Sequence, residues 1–135
     1  MTATSPETRS VIVEREFAVS PERIWRALTQ PHLIQEWLMK NDFKPEPGAE
    51  FTMSGDWGSV DCEVLTNEDE RELSYTWQAY GLETVVTWTL APTASGTRLR
   101  MEQSGFKVDQ KQAYGGAKGG WRKFFDNLEK VLQQQ

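Results

Sequence analysis

In "SVIVEREF" the apolar residues fall at every second position. Val11, Val13 and Phe17 share one face with Arg15, while Ile12, Glu14 and Glu16 take the other. Period two over this length predicts a strand. The pattern then changes. "SPERIWRAL" puts Ile24, Trp25 and Leu28 on one side of a helix, with Ser20 as N-cap, Pro21 at the first helical position and Glu22 near the positive end of the dipole. Pro31 opens a second short helix, which turns Leu33, Ile34 and Trp37 inward. "KNDFKPEPGAE" reads as a loop punctuated by Pro45, Pro47 and Gly48.

Alternation returns in "EFTMS", "VDCEVLT", "ELSYTWQ", "LETVVTWTL" and "TRLRMEQSGF", with turns at "GDWGS", "NEDER" and "APTASG". The inward positions are Phe51 and Met53, then Val60, Cys62 and Val64, then Leu73, Tyr75 and Trp77. Val86, Trp88 and Leu90 follow, and Leu99, Met101 and Gln103 complete the set. Polar-out, apolar-in strands joined by short turns make an antiparallel sheet with one wet face. The chain closes on Tyr114, Ala117, Trp121, Phe124, Phe125, Leu128 and Leu132, spaced three and four apart. That stripe predicts a helix from near Gln110 to near Leu132, passing through Gly115, Gly116, Gly119 and Gly120. A sheet with one apolar face needs a cover, and this helix is the element able to supply it. The expected architecture is α+β: a curved six-stranded antiparallel sheet around a long C-terminal helix, with two short helices after the first strand. Residues 1–8 read as a tail, residues 9–133 as a single domain, and the terminal "QQQ" as a fraying end.

Composition narrows the chemistry. The chain has 135 residues and a net charge of −5, and its basic residues are scattered rather than clustered. Nucleic acid is therefore not an expected partner. Cys62 is the only cysteine and His32 the only histidine, which excludes an internal disulfide and a Cys/His zinc site. A Ser-His-Asp triad would have to use His32, which the pattern puts in the first turn of a helix. No apolar run is long enough to span a membrane, and the N-terminus lacks the form of a signal peptide, so a cytoplasmic protein is expected. No metal and no cofactor are expected.

The glycines invite comparison with a phosphate loop. Gly115 and Gly120 have the right spacing, but Trp121 and Arg122 stand where Lys and Ser or Thr would have to be. The dinucleotide fingerprint fails on spacing and on its missing βαβ context. Glycine in a helix interior costs about 1 kcal/mol against alanine. What it offers is a missing side chain, and beside a concave sheet that space would be a cavity.

Five blocks in order, "EREFAVSPERIWRALTQPHLIQEWL", "PGAEFTM", "CEVLTNEDERELSYTW", "TVVTWTLAPTASGTRLRMEQSGF" and "GGWRKFFDNLEKVL", carry a resemblance. The chain resembles homologues of the activator of the heat-shock-protein-90 ATPase, within the START/Bet v 1-like (SRPBCC) superfamily. The resemblance covers nearly all of residues 9 to 133. It implies the helix-grip fold and a cavity between sheet and helix that takes lipids, sterols, polyketides or other apolar molecules. Gly120 and Trp121 match the Gly-Trp pair of the family. One departure is visible: relatives often carry a histidine just before "SGF", and here Gln103 stands there.

The residues expected to line such a cavity are Phe51, Met53, Val64, Tyr75, Trp77, Trp88, Met101, Tyr114, Ala117 and Trp121. The alternative for each is ordinary core. Arg15 and Gln103 are polar residues on apolar faces. Either could orient a carboxylate or carbonyl of a ligand, and Arg15 could instead form a salt bridge at the sheet edge. No catalytic residue is expected. The functional expectation is non-catalytic binding of a small apolar or amphipathic molecule by a monomer or weak dimer. The alternatives are a regulator of a chaperone ATPase, a stress-response protein, or a cyclase or hydrolase using the same cavity.

Overall fold

A computed structural model describes residues 8–56 and 58–133. Residues 1–7 of the expected tail at 1–8, residues 134–135 of the terminal "QQQ" and Trp57 of the "GDWGS" turn lie outside the described residues. Thr8 does not belong to a tail: it already pairs with Lys107.

Strand β1 (Thr8–Phe17) leads into helices α1 (Pro21–Thr29) and α2 (Pro31–Trp37). Then come β2 (Lys40–Asn41), β3 (Glu50–Gly55), β4 (Gly58–Glu68), β5 (Glu72–Ala79), β6 (Leu82–Pro92) and β7 (Thr97–Lys107). Helix α3 (Lys111–Gln133) ends the chain and runs through all four glycines. Among the described residues the strands form one seven-stranded antiparallel sheet in the order β1-β7-β6-β5-β4-β3-β2. The first two strands thus lie at opposite edges, and α1 and α2 carry the chain between them.

The expected six strands become seven because Lys40 and Asn41, placed above in a loop, pair with Ser54 and Met53. Two residues are too few to show alternation. Side chains anchor the segment instead: Asn41 donates through Nδ2 to the Pro31 carbonyl at 3.0 Å. Asp42 Oδ1 accepts from the Thr52 backbone N–H at 2.6 Å, which holds its carboxyl below its ordinary pKa. Helix α1 starts as its sequence predicts, with the Ser20 hydroxyl accepting from the Arg23 N–H. Arg23 in turn donates to the Leu132 carbonyl and ties α1 to the last turn of α3.

Strand β7 departs from strict alternation at one point that matters for the site. Arg9 faces Phe106 and Ser10 faces Ser104, so Gly105 is an extra residue in the ladder, a β-bulge. Its φ of +107° suits glycine, and a β-carbon there would stand 2.9 Å from the Glu83 carbonyl oxygen. The bulge reverses the parity of the strand. Gln103 and Phe106, three positions apart, therefore both point to the concave side.

Aromatic rings fill the centre of that concave side. Trp88, fully buried, meets Trp37 edge-on at 5.6 Å, Trp121 at 5.6 Å and Phe125 at 5.9 Å between centroids. Phe43, Phe51 and Tyr75 form a second group beside it. These contacts, with Leu128 and Leu132, fix the C-terminal half of α3 to the sheet.

Candidate functional site

Helix α3 carries two stripes. Tyr114, Trp121, Phe125, Leu128 and Leu132 face the core, as the sequence predicts. A second stripe of Ala113, Gly116, Ala117 and Gly120 lies on the adjoining flank and ends at Phe124. No side chain on that flank exceeds a methyl group until Phe124, so the space between helix and sheet is left unfilled there. A cavity of about 460 Å³ occupies the space. Its other walls are Trp77 and Ala79 of β5, Leu82 of β6, Gln103 and Phe106 of β7, Met39 after α2, and Tyr80 at the tip of the β5–β6 hairpin. The volume falls within the roughly 300–1,000 Å³ of small-molecule sites. β-carbons on Gly115, Gly116, Gly119 and Gly120 would meet nothing within 4 Å.

Gln103 is the buried polar group of the wall, and its orientation follows from its neighbours. The Trp121 indole can only donate, and it gives its Nε1–H to Gln103 Oε1 at 2.7 Å. That turns Gln103 Nε2 toward Thr84, whose hydroxyl accepts at 2.9 Å and donates onward to the Trp77 carbonyl, also at 2.9 Å. The chain Trp121–Gln103–Thr84–Trp77 thus runs from helix to sheet with a fixed direction. The amide keeps one N–H and one lone pair beyond these bonds.

Of the expected site residues, Trp77, Gln103, Ala117 and Trp121 come together around this cavity. The others lie elsewhere. Phe51, Met53, Val64, Tyr75, Trp88 and Met101 are packed in the core, because the large aromatics fill the middle of the sheet. Tyr75 accepts from Trp88 Nε1 at 3.0 Å, and burial pushes its phenol pKa upward. Tyr114 donates to the Ser10 carbonyl at 3.2 Å on the opposite flank of α3. Arg15 reaches α3 instead of a ligand: its guanidinium pairs with Asp126 at 3.0 Å and Glu129 at 3.5 Å and lies over the Phe125 ring. The sequence reading missed Met39, Tyr80, Leu82 and Phe106, whereas the space beside Gly116 and Gly120 lies where the glycines led it to expect a cavity. The glycine inside "SGF" was the available signal for Phe106, since a strand glycine marks a bulge.

Cys62 is buried on β4. Burial first, then the charges of Asp61 and Asp42, push its thiol up to about 12. The thiolate is the reactive form, so Ellman's reagent is expected to leave native protein unlabelled and to titrate one thiol after denaturation. Rapid labelling of folded protein would contradict this burial. Among the described residues no cluster of three or more His, Cys, Asp or Glu could hold a metal ion. No helix among them is long and apolar enough to cross a membrane.

A curved antiparallel sheet gripping one long helix, with a pocket at the thinned end of that helix, defines a helix-grip protein. The family model described as "Activator of Hsp90 ATPase homolog 1-like protein" matches residues 18–133, and the chain belongs to that family. Protein MLL2253 from Mesorhizobium loti has the same fold at a TM-score of 0.91 and 58% identity, over 94% of this chain and 98% of that one. DynU16, a putative protein in the dynemicin biosynthetic locus, matches at a TM-score of 0.82 and 26% identity, over 92% of this chain and 47% of its own. CalU16 from Micromonospora echinospora shares the fold at a TM-score of 0.82 and 23% identity, over 93% of this chain and 76% of its own. No curated protein matches the sequence.

Proposed function

We propose that the protein binds a small apolar or amphipathic molecule in the cavity beside Gly116 and Gly120, without transforming it. The observation that carries this reading is the stripe of small residues on α3. Glycines in a helix interior lower its stability, yet here a β-carbon would meet open space. No close approach of backbone requires them, and the gain is room. The walls are predominantly apolar, with the spare Gln103 amide valences able to orient a carbonyl or hydroxyl. An amide is neither a general base nor a nucleophile at neutral pH, which favours binding over turnover.

Trp77 and Trp121 line the cavity, so the protein carries its own reporter. Titration with fatty acids, sterols, flavonoids and polycyclic aromatics is expected to give saturable tryptophan quenching with at least one class. Flat titrations for every class up to millimolar concentration would remove the proposal.

A further inference from the structure

The cavity has a closed end and an open one. Met39, Trp77, Gln103, Phe106 and Trp121 are all buried, whereas Ala113 and Gly116 in the first turns of α3 are exposed. A molecule that enters past the exposed residues reaches Gln103 with its inner end. Among the described residues of the lining, none carries a charge.

Gln103 interrupts an apolar row. Its register partners on the two neighbouring strands are Val11 and Val86, both buried, and Gln103 itself is 2% exposed. The amide between them is fixed before any ligand arrives. A flip would set its NH2 against the Trp121 indole N–H, donor against donor. It would also turn the oxygen to Thr84, whose hydroxyl proton is already given to the Trp77 carbonyl. Two of the four hydrogen-bonding positions of the amide thus join helix to sheet. The other two, one N–H and one lone pair, belong to the wall of the cavity.

We propose that the cavity selects an uncharged molecule that enters polar end first, with a carbonyl at its inner end accepting the spare Gln103 N–H. This rests on the cavity being a ligand site. A carboxylate at the closed end would be a buried charge with no cation beside it. A fatty acid would therefore enter tail first and lay methylenes against the amide, which strands its donor and its acceptor. Both orientations of a charged amphiphile are costly. A neutral ketone, lactone or amide meets neither penalty, and the preset amide loses little freedom in binding it.

The test uses 2-acetylnaphthalene, naphthalene and 2-naphthoate, which share one aromatic body, in NMR titrations of 15N-labelled protein at about pH 8. Wild type is expected to bind the ketone on the order of tenfold more tightly than the carboxylate. One proton of the Gln103 side-chain amide is expected to move downfield with the ketone and not with naphthalene. In Gln103→Leu and Gln103→His the ratio of ketone to naphthalene affinity is expected to fall about fivefold. Leucine removes every position of the amide. Neutral imidazole keeps one acceptor and one N–H, enough for Trp121 and Thr84 with none to spare. A carboxylate bound as tightly as the ketone, a ratio unchanged in both variants, or a Gln103 amide proton that does not move downfield with bound ketone would overturn this inference. Each of those results leaves the cavity reading standing. The amide signal needs wild type alone, so it decides even where a variant fails to fold. Wild type that binds none of the three probes would remove the cavity reading and this one together.

Discussion

Replacing Gly116 and Gly120 by leucine is expected to weaken ligand binding sharply in a protein that is more stable than wild type. Both positions face the cavity, and a β-carbon at either meets nothing within 4 Å, so the larger side chains enter vacant space. Leucine favours helix over glycine by nearly 1 kcal/mol per site, and its burial against Trp77 and Phe106 adds to that. The same atoms displace the ligand, so affinity is expected to fall on the order of tenfold or more. The companion variant, Gly115→Ala with Gly119→Ala, separates the two effects. Neither glycine lines the cavity, and both are exposed. This variant is expected to gain about 2 kcal/mol in all and to bind as wild type. Thermal melts and tryptophan titrations on both variants give the answer. A G116L/G120L protein that still binds every wild-type ligand would place the site elsewhere.

Replacing Gln103 by leucine is expected to destabilise the fold by about 2 kcal/mol through a single stranded donor. Trp121 is 2% exposed, and its indole N–H has Gln103 Oε1 as partner. Leucine matches glutamine in size but offers no acceptor, so the N–H stays buried and unpaired. Thr84 suffers less, because its hydroxyl still donates to the Trp77 carbonyl. Urea denaturation followed by far-UV circular dichroism measures the loss. In a double-mutant cycle, Trp121→Phe removes the N–H and should recover much of the penalty, giving a coupling of about 1 kcal/mol or more. If Q103L were as stable as wild type, the relay from helix to sheet would carry no weight.

Periodicity alone made the strands, the two short helices and the length of α3 legible, because each shows a strong pattern over many residues. The path of α3 through Gly115 and Gly120 followed from its continuous apolar stripe, despite four poor helix formers. What stayed hidden depends on volume and on single residues. Period two puts Trp88 and Met101 on the concave side correctly, but whether that side is full or hollow depends on how Trp37, Trp121 and Phe125 meet there. Those contacts join residues far apart in the chain. Phe106 was lost because strict alternation sends it outward, and only the bulge at Gly105 brings it back. Lys40 and Asn41 were lost because a two-residue strand has no period. Arg15 was noticed as a charge on an apolar face, and its partners, Asp126 and Glu129, lie on the far side of the chain.

The two stripes of α3 also divide the helix mechanically. From Trp121 onward it is held by Phe125, Leu128, Val131 and Leu132 in the core, by Arg15 from β1 and by Arg23 from α1. Before Trp121 the core-facing stripe offers Tyr114, which is only half-buried, and the cavity flank offers Ala117, half-buried as well. Cooperative structure opens first where few apolar contacts must be given up, and glycine adds backbone entropy to the open form. The first turns of α3 can therefore melt and re-form while the aromatic core stays shut. A molecule too broad for the resting gap would pass as that end frays, so its rate of capture would follow local melting and not the global stability of the fold.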